Sequence, residues 1–173
     1  MVHDTGSSRY NRGMLRHAER SDNMQDFRTL PGHLIRRLHQ ASVALFMEEC
    51  ADLDITPVQY AALFAIGESP RIDATRLSEQ IFFDRSTLGA VLDRLEKKQL
   101  VVRGPSPTDR RAKVLTLTLK GRQILKRAST AVLRVQRRLM SPLNAADRRK
   151  MQGLLKQLAD AHIGCEIGPS SQN

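Results

Sequence analysis

The chain contains few of the residues on which many enzymes and secreted proteins depend. It has no tryptophan and only two cysteines, Cys50 and Cys165, in 173 residues. Two distant cysteines do not make the framework of a disulfide-stabilised secreted domain. No apolar run approaches the roughly 20 residues that a membrane helix requires, and residues 1–20 lack the apolar segment of a signal peptide. These absences predict a cytoplasmic protein with reduced thiols and no membrane partner.

Motifs for catalysis and metal binding are also missing. The sequence has no glycine-rich phosphate loop, no HExxH helix and no Cys/His set with the spacing of metal ligands. We therefore expect neither an enzyme nor a bound cofactor. A metal held by His33 and His39 of two chains is an alternative that the sequence leaves open.

Positive charge, by contrast, is abundant. The net charge is +10, and the segment from Arg71 to Arg127 holds fourteen Lys or Arg against six Asp or Glu. Such an excess favours a polyanionic partner, either a nucleic acid or a membrane surface. A solvated basic face without any partner is the alternative on charge alone.

The segment from Asp84 to Thr118 suggests which polyanion is bound. An amphipathic helix with an apolar stripe runs into a short apolar strand, a basic loop and a second strand. A shorter helix after Asp73 and a tight turn precede it, so the two helices form a helix-turn-helix. A helix followed by a cationic hairpin is typical of a module that binds duplex DNA. The stripe consists of Leu88, Val91, Leu92 and Leu95.

The rest of the chain predicts a mainly α protein with a small β wing. We expect a flexible arm at 1–28, a domain at 29–162 and a tail at 163–173, with the winged helix-turn-helix at about 57–118. The dimerisation helices lie at about 31–52 and 119–162, and the first and last of them carry apolar faces that they cannot bury alone. Two copies that intertwine these N- and C-terminal dimerisation helices would form a homodimer with two DNA-binding heads. Such heads lie roughly 34–36 Å apart, one turn of DNA.

Small and polar side chains at the start of the recognition helix are candidates for DNA contacts. Small residues let the backbone approach base edges, and short apolar groups contact the thymine methyl. Arg94 is a candidate phosphate contact, and pairing with an acidic neighbour is its alternative. Helix capping is the alternative for the two hydroxyl residues. The candidates are Arg85, Ser86, Thr87, Gly89 and Ala90.

Two stretches, STLGAVLDRLEKKQLVVR at 86–103 and DRRAKVLTLT at 109–118, resemble the multiple-antibiotic-resistance regulator (MarR) family of winged-helix repressors. The resemblance covers roughly 31–162. It implies a homodimer joined through its terminal helices, a recognition helix in the major groove and a wing arginine in the minor groove. Members usually repress transcription, and many release DNA on binding an aromatic acid or a phenol. The family commonly has glycine where this chain has Gln99, which suggests a differently built helix end, because a left-handed glutamine costs about 1 kcal/mol.

The predicted wing carries three cations and one carboxylate. Asp109 is a poor DNA contact because phosphate repels it, so we expect it to orient Arg111 through a bidentate ion pair. Arg110 or Arg111 would enter a narrow minor groove, and the resemblance favours Arg111. Lys113 is a further candidate DNA contact.

A cationic cluster on the first helix is the candidate effector site. His33, Arg36, Arg37 and His39 lie three or four residues apart, as neighbours on one helix do. Effector pockets in the family lie between the dimerisation helices and the DNA-binding lobe. There Arg36, Arg37 and His39 would suit a carboxylate, and Tyr60, Phe64 or Phe46 would line the ring site. The resemblance is closest to repressors of nicotinate or aromatic-acid catabolism, so hydroxylated nicotinic acid is the predicted effector. A solvated basic face is the alternative.

Other functions remain as alternatives to a ligand-released repressor of an inverted-repeat operator. A thiol sensor is disfavoured, because Cys50 lies beside Glu48, Glu49 and Asp52, and carboxylates raise a thiol pKa. A non-specific architectural DNA binder would share the charge, but it would not distinguish an inverted repeat from random duplex. A protein-interaction adaptor would leave the basic wing without a purpose.

Overall fold

The computed structural model describes residues 26–106 and 113–162. The chain divides into two compact units, 1–41 and 42–173. No helix of the described part is long and apolar enough to cross a membrane. In chain order, the elements are a 3-10 turn (Phe27–Thr29), α1 (Pro31–Glu49), a second 3-10 turn (Ala51–Leu53), α2 (Pro57–Glu68), β1 (Ile72–Asp73), α3 (Ala74–Gln80), α4 (Arg85–Lys97), β2 (Val101–Pro105), β3 (Lys113–Leu117), α5 (Leu119–Leu139) and α6 (Ala145–Ala161).

The three strands form one antiparallel sheet in the order β1-β3-β2. In β2 and β3, Val101 lies opposite Leu117, and Arg103 lies opposite Leu115. Ile72 of β1 pairs with Leu115 from the other side. The sequence predicted the β2–β3 pair and missed β1, because two residues are too short to show an alternating pattern. This strand ties the start of α3 to the wing.

The apolar stripe predicted for the recognition helix is confirmed. On α4, Leu88 is 1% exposed, Val91 5%, Leu92 2% and Leu95 0%. They pack in one core with α2, α3 and the sheet. Burial of one face leaves the opposite face of α4 to solvent, and this fixes which side chains a ligand can reach.

The two C-terminal helices differ in how much of their apolar surface they bury. On α5, Ala128 and Val135 are buried, whereas Leu133 is 65% exposed. α5 therefore buries one apolar face inside the single chain and leaves Leu133 exposed on another side of the helix. α6 has no buried residue, and Leu154 and Leu158 are 48% and 53% exposed.

Two predicted boundaries differ from the structure. α1 ends at Glu49 rather than near 52, because Cys50 begins a 3-10 turn and Asp54 adopts a left-handed backbone with φ 49°. The first described turn, Phe27–Thr29, also starts before the predicted helix-domain boundary at 29. The Asp26 carboxylate accepts the N–H of Arg28 at 3.0 Å and caps the turn that follows.

Gln99 corrects the expectation of a differently built helix end. Its φ is 59°, in the left-handed region. Its N–H donates to the carbonyl of Glu96 at 2.8 Å, and the N–H of Leu100 donates to Leu95 at 2.9 Å. These two bonds are the Schellman motif that usually ends on glycine. The chain thus keeps the geometry typical of glycine and tolerates the strain of a glutamine.

We expect Gln99→Gly to stabilise the protein by about 1 kcal/mol, because glycine adopts this backbone without a steric penalty. Urea denaturation measures the change in the free energy of unfolding. The matched control is Gln123→Gly, at an exposed position inside α5, where glycine costs about 1 kcal/mol instead. A loss of stability in both variants would contradict a strained Gln99.

Candidate nucleic-acid interface

Asp84 organises the start of the recognition helix. Its carboxylate accepts the N–H of Thr87 at 2.8 Å and the hydroxyl of Ser86 at 2.6 Å. Hydrogen bonds from Ser86 and Thr87 lower the pKa of Asp84 to about 2. The cap therefore stays ionised well below neutral pH. The Ser86 hydroxyl supports the cap, which was the alternative considered for it, and the Thr87 side chain stays exposed.

The outer face of α4 is open along its first two turns. Arg85, Thr87, Ala90 and Arg94 are exposed, and Gly89 is half-buried. A Cβ built on Gly89 would meet nothing within 4 Å. A glycine inside a helix costs about 1 kcal/mol relative to alanine, and no neighbouring atom requires one here. The open space above Gly89 thus suits close approach of another molecule.

Arg85 forms a hydrogen bond with α3, the first helix of the helix-turn-helix. Its guanidinium donates to the Thr75 hydroxyl. The Asp73 carboxylate caps α3 and accepts the N–H groups of Thr75 and Arg76, each at 2.9 Å. The sequence indicated the Asp73 cap but not the contact between Thr75 and Arg85. That contact joins residues ten positions apart on two helices and has no local pattern.

Two other arginines of this surface differ in their partners. Arg94 forms no ion pair with the described residues and is exposed, so the acidic partner considered for it is not found among them. Arg103, which the sequence did not single out, donates to Asp93 at 2.8 Å and pairs with Glu96 at 3.2 Å. Arg94 is therefore available to an anion, whereas Arg103 is already neutralised.

A cleft of about 250 Å³ lies between α4, the start of α3 and the wing strands. Its floor is apolar and its rim carries three cations. Lys113 is exposed on β3 at this rim. Asp109, Arg110 and Arg111 lie outside the described residues. The lining residues are Ala74, Arg85, Leu88, Gly89, Leu92, Arg103, Lys113 and Leu115.

The predicted effector residues fall in the two different units of the chain. In the first unit, Arg36, Arg37 and His39 are exposed on α1. In the second unit, the Tyr60 ring lies 6.1 Å from that of Phe64, and the Tyr60 hydroxyl lies 3.4 Å from Ser129 Oγ. A further ring, Phe46, lies 6.0 Å from Tyr60.

The environment of Cys50 disfavours thiolate chemistry. The residue is 2% exposed. Burial raises the pKa of its thiol, and the nearby Asp52 carboxylate raises it further. The sequence identified the carboxylates, and the structure adds burial as the larger cause. Within the described ranges, no group of three or more His, Cys, Asp or Glu is placed to hold a metal ion.

Comparison with known proteins identifies the family. A MarR family model matches residues 53–112. The transcriptional regulator HosA of Escherichia coli is 30% identical over 129 residues, which are 75% of this chain and 94% of HosA. The chain belongs to the MarR family. The transcriptional repressor NicR of Pseudomonas putida is 28% identical over 130 residues, 75% of this chain and 82% of NicR.

Solved MarR-type structures share the fold. BpsR of Bordetella bronchiseptica, whose DNA binding is regulated by 6-hydroxynicotinic acid, matches with a TM-score of 0.74, 27% identity, and coverage of 79% of this chain and 97% of BpsR. The repressor CouR bound to a 23-mer DNA duplex matches with a TM-score of 0.73, 31% identity and the same two coverages. The chain is thus a winged-helix transcriptional regulator of the MarR family and not an enzyme.

Proposed function

We propose that this MarR-family regulator is a repressor that binds an inverted-repeat operator as a homodimer and is released by a small aromatic carboxylate. The observation that carries the proposal is the outer face of α4. It presents small side chains and exposed cations beside a glycine that its own fold does not require. A helix with such a face enters the major groove and lets its backbone approach base edges.

Distinct parts of the module have distinct roles in DNA binding. Thr87 and Ala90 face the bases, where a methyl group meets thymine. Arg85 and Arg94 contact a guanine or the phosphates, as does Lys113 on the wing. Ser86 acts mainly through the cap described above. Arg111, or Arg110 beside it, enters the adjacent minor groove.

The homodimer accounts for the apolar surface that the single chain leaves exposed. Leu133 on α5 and three leucines of α6, Leu154, Leu155 and Leu158, are between 43% and 65% exposed. A second copy that covers them would place the segments at about 31–52 and 119–162 in the dimer core. The two-fold axis would then present two recognition helices to successive turns of DNA.

The proposed effector follows from chemistry and from the relatives. Arg36, Arg37 and His39 supply the charge for a carboxylate, and Tyr60 and Phe64 supply aromatic faces for the ring. The regulation of BpsR by 6-hydroxynicotinic acid favours a hydroxylated nicotinic acid as the effector. In that case the basic face of α1 would be a ligand-binding surface and not merely a solvated one.

We expect selection from a random duplex pool to yield an inverted repeat that the wild-type protein binds at least 1,000-fold more tightly than random duplex, the lower end of specific recognition. Fluorescence anisotropy at fixed ionic strength measures both affinities. An architectural binder would show equal affinity for the two probes, and that result would overturn the proposal.

Addition of 6-hydroxynicotinic acid is expected to release the selected duplex and to raise Tm, because ligand binds the folded state. Arg36→Gln/Arg37→Gln should still bind DNA but lose the release. A control for the loss of surface charge is Arg28→Gln, which removes one exposed arginine outside α1. A panel of aromatic acids that causes neither release nor a thermal shift would contradict the effector site.

Release of DNA by peroxide from the wild type, but not from Cys50→Ser, would favour the thiol sensor instead.

A further inference from the structure

Arg103 connects the recognition helix to the wing through two carboxylates. Its Nη2 lies 2.8 Å from an Asp93 oxygen, and its Nη1 lies 3.2 Å from a Glu96 oxygen. Asp93 and Glu96 are three residues apart on α4, so they project from the same face. Arg103 lies in β2, opposite Leu115 of β3. One planar side chain thus joins two turns of the helix to the first strand of the hairpin.

Arg103 and Glu96 are half-buried in this cluster, whereas Asp93 is exposed. The side chains of Arg103 and Glu96 are 30% and 31% exposed, and that of Asp93 is 59% exposed. A guanidinium has a rigid, flat arrangement of donors, which fixes direction as well as distance. Lysine in the same place would keep the charge and lose the direction. The cluster is therefore suited to holding an angle between two elements.

The same cluster is badly suited to binding phosphate. Two carboxylates surround one guanidinium, which gives the cluster a net charge of −1. A carboxylate on a DNA-facing helix weakens non-specific attraction to the polyanion. The exposed Asp93 and the half-buried Glu96 therefore weaken simple attraction to DNA, which indicates that they serve another role.

We propose that Asp93, Glu96 and Arg103 form an ionic clamp that sets the angle between the recognition helix and the wing and thereby the discrimination between operator and random DNA. This proposal rests on the proposed function. Specific binding requires the helix and the wing to reach their grooves at the same time, whereas random duplex can be bound by either one. Loss of the clamp thus weakens specific binding more than non-specific binding.

Asp93→Asn/Glu96→Gln tests the clamp, because the two amides keep the shape and remove both charges. We expect affinity for random duplex to rise, since the two anions are gone, and the ratio of selected-site to random affinity to fall about tenfold. Arg103→Lys keeps the charge but loses the flat pair of donors that contacts both carboxylates. It should therefore also lower the ratio of selected-site to random affinity. If a variant contained less folded protein, its apparent affinities for both duplexes would fall by the same factor. The ratio of the two affinities is therefore independent of stability.

The matched control is Glu68→Gln/Glu79→Gln. These two exposed glutamates form no ion pair with the described residues, and their loss changes the net charge by the same amount. We expect this control to raise both affinities and to keep the ratio. A ratio preserved in Asp93→Asn/Glu96→Gln, or lowered equally in the control, would overturn the clamp. A wild-type protein without any preference would overturn the proposed function, and the clamp with it.

Discussion

Ala90→Glu is expected to abolish operator binding and to leave the protein folded. Ala90 is exposed on α4, one residue after Gly89, on the face opposite the buried stripe. A glutamate there would bring a carboxylate against base edges and phosphates, and like charges at an interface cost several kcal/mol. We expect affinity for the selected inverted repeat to fall at least 100-fold, or about 2.7 kcal/mol. Fluorescence anisotropy measures the loss.

The fold should tolerate this change because alanine and glutamate are both good helix formers. Circular dichroism and Tm should therefore match the wild type. Gln152→Glu on α6 is the control, since it alters the net charge by one unit at an exposed position away from α4. It should weaken binding by a few-fold at most. Operator binding that survives Ala90→Glu would mean that another surface of the module faces DNA.

Local signals in the sequence were sufficient to predict the DNA-binding module. The apolar stripe of α4 repeats with the helical period, and its cap at Asp84 is a short-range hydrogen bond. The start of α2 is equally local. There the Thr56 hydroxyl accepts the N–H of Gln59 at 3.3 Å, and the Gln59 side chain accepts the N–H of Thr56 at 3.2 Å. Each of these features depends on residues within one or two turns.

Gln99 shows where a local rule gives the wrong expectation. Its left-handed backbone costs about 1 kcal/mol relative to glycine, and the surrounding contacts offset that cost. Leu100, the next residue, is 2% exposed. The Thr118 hydroxyl donates to the Gln99 carbonyl at 2.7 Å. A contact with a residue 19 positions away thus supports this backbone, and one sequence does not reveal such a contact.

The sequence predicted which side chains of the candidate site are exposed, but not which side chains they contact. Exposed positions follow from the buried stripe, so Arg85, Ala90 and Arg94 could be chosen from periodicity. The partners of the arginines could not, because Thr75 and Asp93 each lie ten residues from the arginine they contact. Opposite charges at 93, 96 and 103 were the one available signal for the clamp. Such a pattern is frequent on solvated helices and carries little weight alone.

Gly121→Ala is expected to cause the largest loss of stability, about 3 kcal/mol. Gly121 is buried in the first turn of α5. A Cβ there would overlap the Leu100 carbonyl oxygen and would lie 3.0 Å from its carbon. Differential scanning calorimetry should show a Tm lower by about 9 °C, at 2–4 °C per kcal/mol for a chain of this size.

The clash cannot be relieved by a side-chain rotation, because both partners are backbone. The Leu100 carbonyl accepts the N–H of Thr118 at 3.0 Å, and the Gly121 N–H donates to the Thr118 hydroxyl at 2.9 Å. Movement of α5, with its Thr118 cap, away from Leu100 would break the bond between Thr118 and the Leu100 carbonyl and would open the base of the wing.

Gly153→Ala on α6 separates this clash from helix propensity. A Cβ on Gly153 meets nothing within 4 Å, so alanine there should stabilise the helix by about 1 kcal/mol. Propensity alone would favour alanine at Gly121 as well, since both glycines lie in helices. Opposite signs for the two substitutions therefore isolate the contact with Leu100. Equal stabilisation would mean that α5 does not pack this closely against the end of α4.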